Sequence, residues 1–589
     1  MFLMLEQAQR MLEEKAQLDL LSTTASWLVS HHWTLTDGSV RDVCVDAELN
    51  IHGVVRQVRL VYPQLFPETP AFVLPQGAEE RWSQHQYGRT GALCLEYGPD
   101  NWSPTVTGAE VLESCARLLL SEAKLGEDEA VPSRHSLTLG QQLRGTYHRF
   151  IKTTGFSALS DSLDTGCITK ITVAINLLDL VMVAFCTAGG VSNLVEHDVL
   201  PKALSDPKRH GSWVRSGFLV VDEEVRLPRN ANFEELKAAL QERSLWPFED
   251  SFDEYKFIAV MGANRVLRVF DIFQANGKGP KSDEFEVVEA AENDGSRLPL
   301  AYGDLSEKTV AIVGLGSVGS KIAVSLARSG LRKFILVDED ILLPGNLVRN
   351  QLDWMMVGFS KVSAVAEAIT RVAPNSVVEK RSHRLAGQEN SEVIAATLNK
   401  IRTADLVIDA TANPDVFVSL AAVCKRSQKA FIWGELFAGG IGALMCRSIP
   451  GIDASPLSVR DGVNLHLATL PKAPHMRASG YDDAEDDGPL IATDAAVTQL
   501  ATSMAAYGLD ALTRKIDPEY IYPAYLMGYA QAWAFAGPFD TQPIAVLNDD
   551  LVTVAPELSE EQTEARDNLF REILVNAKLI PPEDHNDQA

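Results

Sequence analysis

"TVAIVGLGSVGSKIAVSLARSG", residues 309–330, runs from a short apolar stretch through three closely spaced glycines into a helical pattern. A strand without polar interruptions is one covered on both faces, and so belongs to a parallel sheet. Gly314, Gly316 and Gly319 stand at the turn from strand to helix. There they let backbone N–H groups approach a phosphate at the helix N-terminus, where the dipole favours negative charge. "KFILVDED" follows, and its Asp338 closes a second apolar strand at a place suited to bonding ribose hydroxyls. To this point a nicotinamide dinucleotide and a nucleoside triphosphate fit equally.

The residues downstream part the two. "DILLPGNLVRNQLDWMMVGFSKVSAVAEAI" places Asn346, Arg349 and Lys361 beyond that aspartate. A dinucleotide pyrophosphate is held mainly by the glycine turn. A triphosphate under attack needs Arg and Lys to stabilise charge on the leaving pyrophosphate. Any one of the three alone is as readily an ordinary surface group; the set carries the reading. "ADLVIDATAN" then puts Asp409 at the end of another strand.

With these stretches in this order, residues 305–515 resemble the adenylation domain of ubiquitin-activating enzymes and their ThiF/MoeB-type bacterial relatives in thiamine and molybdopterin biosynthesis. The resemblance implies a Rossmann-like fold that uses ATP and Mg2+ and pairs as a homodimer. It implies that Asp338 holds the ribose, that Asn346, Arg349 and Lys361 contact the phosphates, and that Asp409 faces the nucleotide. Two departures stand out. The family usually has a second aspartate three positions after Asp409, often a help in binding magnesium, and here that position is Ala412; no metal-ligand set is assigned. Members that form a thioester carry a cysteine before the late helix "DAAVTQLATSMAAYGLDAL", and residues 452–500 contain none.

A candidate thiol lies far upstream, in "GALCLEYGPDNWSPT" (91–105). A lone cysteine is ordinarily a small buried hydrophobe. An acyl-adenylate, however, passes readily to a thiolate, with AMP as the leaving group. The surroundings of Cys94 resemble a ubiquitin-conjugating enzyme: "VRLVYPQLFPETPAFVLP", then "HQYGRTGALCLEYGPDNWSPT", then the helix "AEVLESCARLLLSE". That resemblance implies that Cys94 is a thioester nucleophile. His85 matches the histidine of the family's His-Pro-Asn segment and is a candidate base, or else shapes the loop. Gln86 and Tyr87 replace the proline and the asparagine, and that asparagine normally helps stabilise an oxyanion. The other cysteines read as packing: Cys44, Cys167 and Cys186 in strands, Cys115 and Cys424 on helices, and Cys446 at a strand end as a remote relay candidate.

At 589 residues the chain has room for about three or four domains. Its net charge of −26 argues against nonspecific nucleic-acid binding, which needs a basic surface. Seven cysteines without a CxxC pair indicate neither a zinc site nor a disulfide framework, and a reducing, cytoplasmic setting is the simpler expectation. "ITKITVAINLLDLVMVAFCTAGG" from Ile168 is the most membrane-like run, yet Lys170, Asn176 and Asp179 interrupt it. Strands plus a short helix are expected there, not a membrane span.

The N-terminal stretch reads as an amphipathic helix, and 41–63 alternates apolar and polar residues like an antiparallel meander. The expected division is 1–125, an α+β conjugating-enzyme-like domain; 126–300, an α/β linker domain placed by order alone; and 301–589, the adenylation domain with a C-terminal tail. The polar boundary "AKLGEDEAVPSRHS" is expected to leave the first domain mobile. This order resembles bacterial fusion enzymes of CBASS-type antiphage defence operons. The resemblance implies adenylation of a protein's C-terminal carboxylate, a thioester on Cys94 and transfer to an amine. The substrate would be a cGAS-like nucleotidyltransferase or a ubiquitin-like protein, and the partner an acceptor protein. The alternatives are an NAD-dependent oxidoreductase and a non-catalytic scaffold.

Overall fold

The computed structural model describes residues 7–36, 41–77, 83, 85–86, 91–123, 131, 143, 146–190, 192–194, 212–228, 231–248, 256–275, 279–289, 298–386, 389–437, 439–472, 492–514, 518–546, 559–577 and 579. Tyr87, most of the polar boundary at 123–136 and the stretch 473–491 lie outside them. The chain forms two compact units, Met1–Gly145 and Thr146–Ala589.

In the first unit, helix α1 (Ala8–Thr24) precedes strands β1 (Leu28–Leu35), β2 (Val43–Ile51), β3 (Val54–Tyr62) and β4 (Phe72–Pro75), and helix α2 (Gly108–Glu122) closes it. The strands pair antiparallel in chain order. Alternation between 41 and 63 thus becomes the β2–β3 hairpin, with His52 and Gly53 at positive φ in its turn. Leu18, Val45, Leu60, Val73 and Leu112 meet in the core. Inside it lies Glu14, whose carboxylate accepts from Tyr62 Oη at 3.0 Å and from the Gly108 N–H at 2.6 Å, and pairs with Arg10 at 2.8 Å. One acid thereby joins α1, β3 and the start of α2.

The second unit opens with β5 (His148–Lys152), α3 (Thr154–Asp161), β6 (Cys167–Leu178), β7 (Val181–Gly189), β8 (Ser192–Asn193), β9 (Ser212–Val221), α4 (Phe233–Glu242), β10 (Lys256–Met261), β11 (Leu267–Ala275) and β12 (Gly279–Glu289). From the sequence, an α/β linker domain is expected over 126–300. The described residues instead give a largely β region, because β5 pairs with both β12 and β7 and so closes β5, β12, β11, β10, β9, β6 and β7 into a ring. Phe150, Phe257 and Phe285 fill one face of this sheet, and α4 covers part of the other through Leu236 and Leu240. The short helix expected within 168–190 is absent. β6 and β7 form one long hairpin there, turning at Asp179 and Leu180, both at positive φ. Among the described residues no helix is long and apolar enough to cross a membrane.

The remaining elements are β13 (Thr309–Val313), α5 (Ser317–Arg328), β14 (Lys333–Val337), α6 (Lys361–Val372), β15 (Val377–Arg381), α7 (Ser391–Ile401), β16 (Leu406–Asp409), α8 (Pro414–Ser427), β17 (Ala430–Phe437), β18 (Gly442–Ser448), α9 (Pro456–Thr469), α10 (Asp494–Thr513), β19 (Ala524–Gly528), β20 (Thr541–Ile544) and α11 (Glu560–Asn576). The sheet order is β15-β14-β13-β16-β17-β18-β19-β20. Its first five strands run parallel and the others antiparallel. Val310 and Ile312 face a core with α5, α6 and α10, while Ala311 and Val313 face one with α8 and α9. Burial on both faces is why β13 carries no polar residue beyond its first.

Candidate active site

Strand order reverses between β13 and β16, so the chains leaving them part and open a crevice at the carboxyl ends. Val313 pairs with both Val337 and Asp409, which brings Gly314, Asp338 and Ala410 side by side. Gly314 has φ +85°, and a Cβ there would come within 2.8 Å of Thr411 Cγ2. A Cβ on Gly319 would stand 1.9 Å from the Gly314 carbonyl oxygen, so helix α5 starts close against the turn only with glycine. At Gly316 a Cβ would meet nothing within 4 Å. That face of the turn is open, as a cradle for phosphate requires.

Asp338 is 7% exposed, directly after β14. Its carboxylate accepts from the Leu315 N–H at 2.6 Å and from the Asp340 N–H at 2.9 Å. Burial pushes its pKa up, opposed by the Leu315 N–H and the Lys361 charge. Lys361 begins α6 with its Nζ 2.6 Å from Asp340 Oδ2. Backbone pairing across Ile341–Ser360, with the Lys361 N–H donating to the Asp340 carbonyl at 2.9 Å, fixes that meeting.

Asn346 and Arg349 lie on the loop between. Asn346 Oδ1 accepts from the Leu343 N–H at 2.9 Å and closes the 3-10 turn Pro344–Val348, while Arg349 is half-buried just beyond. The loop is fastened to the glycine turn and to α5: Asn350 Nδ2 donates to the Leu315 carbonyl at 3.5 Å, and the Gln351 N–H to Ser320 Oγ at 3.2 Å. Asp340, Asn350 and Ser320 are the residues sequence reading passed over. Asp340 was in plain view as the last letter of "VDED"; the other two had no signal beyond their place in the motifs.

Asp409 ends β16 and is buried, with Oδ1 accepting from the Thr411 N–H at 2.9 Å and from Thr411 Oγ1 at 2.6 Å. Burial pushes its pKa up to about 6. Ala412, where the resemblance led one to look for an acid, sits at φ +54°. Among the described residues no group of three His, Cys, Asp or Glu is placed to hold a metal ion.

Cys94 belongs to the first unit. The Leu93 N–H donates to the Val73 carbonyl at 3.0 Å and the Cys94 N–H to the His85 carbonyl at 2.6 Å, so the segment runs beside β4 with 85–86 on its other side. His85 Nε2 lies 2.5 Å from the Val131 carbonyl, which can only accept, so this nitrogen carries the proton. Trp102 Nε1 donates to the Pro67 carbonyl at 2.7 Å and anchors the Trp-Ser-Pro turn. Cys94 and Cys167 are partly exposed, whereas the other five cysteines are buried. Burial pushes the thiols of Cys115 and Cys424 up to about 12 and that of Cys446 well above its ordinary value, a direction that disfavours the thiolate in all three.

Residues 294–520 match the ThiF family. The C-terminal region is a ThiF-type domain. A bacterial relative, the ATP-dependent ubiquitin transferase-like protein Cap2 of Enterobacter hormaechei, is 39% identical over 132 residues, 22% of this chain and 21% of that one. Ubiquitin-like modifier-activating enzyme 5 of Drosophila mojavensis is 32% identical over 131 residues, 21% of this chain and 33% of that one. The matches thus span a fifth to a third of these curated relatives' length. Among solved structures, Escherichia coli MccB with ATP aligns at 17% identity and TM-score 0.31, over 42% of this chain and 67% of that one. The glycine turn, Asp338, Lys361 and Asp409 all fall inside the residues matched to the ThiF-type domain.

Proposed function

We propose that this chain activates the C-terminal carboxylate of a substrate protein with ATP, carries the acyl group as a thioester on Cys94, and delivers it to an amine. The observation that carries the reading is the crevice of the ThiF-type domain. An open glycine face, a ribose-ready Asp338 and the Lys361 ammonium converge on one sheet edge there. Such a crevice fits a nucleoside triphosphate, which supplies the α-phosphorus that a carboxylate oxygen attacks as pyrophosphate departs.

Asp338 orients the ribose, and the glycine turn donates N–H groups to the phosphates. Asn346, Arg349 and Lys361 neutralise the leaving pyrophosphate. Mg2+ would accompany the phosphates, with Asp409 the carboxylate at the strand end. The Cys94 thiolate then attacks the acyl carbon and releases AMP, and the amine in turn displaces the thiol. His85 shapes the loop around Cys94, or accepts a proton through its other ring nitrogen. The segment order that resembles CBASS-type fusion enzymes supports a role in bacterial antiviral defence, with a cGAS-like nucleotidyltransferase or a ubiquitin-like protein as substrate, and the partial match to a ubiquitin transferase-like protein fits that chemistry. We further propose a homodimer paired through the ThiF-type domains, acting in the cytoplasm, and a chain divided at about residues 125 and 300.

Ala412 favours one second reading, a scaffold that binds nucleotide without turning it over. One pair of measurements decides. Lys361→Ala and Arg349→Ala are expected to abolish pyrophosphate exchange, and Cys94→Ala to abolish a thiol-sensitive adduct while exchange persists. Wild-type protein that binds ATP but exchanges no pyrophosphate would establish the scaffold.

A further inference from the structure

Helix α9 carries Arg460 with its guanidinium 4.5 Å from the centre of the Phe417 ring. Phe417 lies in the first turn of α8, which begins directly after the 410–413 loop leaving Asp409. Among the described residues Arg460 makes no hydrogen bond and no ion pair, although it is half-buried. A half-buried arginine without a bond to any described residue keeps its guanidinium donors open to an incoming oxyanion. Asp409 and half-buried Glu435 of β17 feel the Arg460 charge, which opposes the burial that raises them both. Arg460 bonds to neither. Had it been placed only to neutralise those acids, a closed ion pair would be the expected arrangement.

Its position gives it another use. Loop 410–413 has the glycine turn on one flank, where a Gly314 Cβ would come within 3.0 Å of Ala410, and Phe417 with Arg460 on the other. Helices α5 and α6 pack on one face of the sheet and α8 and α9 on the opposite face. Lys361, held by Asp340, thus stands on the α5 and α6 face, and Arg460, with no hydrogen bond or ion pair among the described residues, on the α8 and α9 face within electrostatic reach of Asp409 at the strand end. A planar guanidinium lying on an aromatic ring keeps its edge donors available for two parallel bonds to an oxyanion.

We propose that Arg460 binds the phosphoryl group that remains on adenosine, in the nucleotide and in the acyl-adenylate. This rests on the adenylation reading above. It assigns the two flanks different work: Arg349 and Lys361 take the leaving pyrophosphate, and Arg460 the phosphorus under attack.

Calorimetric titration of the full chain with AMP and with adenosine isolates that group, since the two ligands differ only by it. Arg460→Ala is expected to weaken AMP at least tenfold and leave adenosine unchanged, and Arg460→Lys to recover part of the loss. Equal AMP affinity in wild type and Arg460→Ala overturns the assignment, as does an equal loss for both ligands, which marks a purely structural arginine. Should Arg460→Ala melt below the titration temperature, Arg460→Gln removes the charge while keeping most of the bulk over Phe417, with the same outcomes expected. Wild-type protein that binds neither ATP nor AMP sinks the adenylation reading and this assignment together. ATP binding with AMP indifferent to Arg460 sinks the assignment alone.

Discussion

Within the glycine turn, three identical residues have three different reasons to be glycine, and substitution separates them. Gly319→Ala forces a methyl into the Gly314 carbonyl oxygen, so either the turn or the start of α5 must move. A loss of about 2 kcal/mol or more is expected, together with nucleotide binding. Gly316→Ala places its methyl in open space and should leave the melting temperature nearly unchanged, yet it fills the open face that the proposed function gives to phosphate. ATP affinity should therefore fall in a protein that melts normally; a Gly316→Ala chain that binds ATP like wild type removes phosphate from that face. Asp409 makes a pH-dependent prediction. Its pKa stands near 6 in the folded chain against 3.8 ordinarily, so the folded state holds its proton more tightly and stability drops as pH rises from about 4 to 6. Asp409→Asn keeps an acceptor for Thr411 and cannot ionise. It should melt like wild type near pH 4 and gain up to about 3 kcal/mol over it above pH 6, a difference that thermal melts across that range would read.

Among the elements, α1 is tied to β3 and α2 by one buried acid, beside the core packing of Met11, Leu18 and Leu21. Glu14→Ala would strand the Tyr62 hydroxyl, the Gly108 N–H and the Arg10 charge at once, and a loss of about 3 kcal/mol is expected in denaturant melts. Glu14→Gln, which keeps an acceptor, should lose much less; equal losses would mean that packing and not bonding holds the helix. Nothing in "MLEEKAQLDLL" distinguishes Glu14 from Glu13, because the difference arises only when β3 and α2 arrive. Elsewhere legibility followed the range of the interaction. Strand β13 and its glycines were readable because burial on both faces and a tight glycine turn leave local marks. Closure of β5 onto β7 was not, since alternation announces a strand without naming its neighbour. Nor was the turn at Asp179 and Leu180, which lacks the glycine or asparagine that usually betrays a positive φ. The same holds at the site. Asp338 and Lys361 were singled out by motif spacing, whereas the Asp340 clasp on Lys361 and an Arg460 unbonded among the described residues depend on loops and helices distant in sequence.

For the molecule as a whole, the region between the thiol-bearing unit and the ThiF-type domain matters by how it is threaded. Its first strand, β5, and its last, β12, are neighbours running parallel, with Arg149 opposite Glu286 and Lys152 opposite Glu289. The polypeptide therefore arrives at one end of this pair and departs from the other. Tension on the chain would slide the two strands past each other and load their hydrogen bonds together, where tension across a hairpin's open end breaks bonds one after another. Forced unfolding is set by the rate of crossing that barrier, not by equilibrium stability. In a single-molecule stretching experiment on the full chain, the ring should give way in one step and at higher force than elements that can be peeled; a gradual, low-force release would show that the strands do not act in shear. Mechanically, this stretch is a shackle: an unfolding motor that grips either end of the polypeptide would stall here before it could draw the rest through.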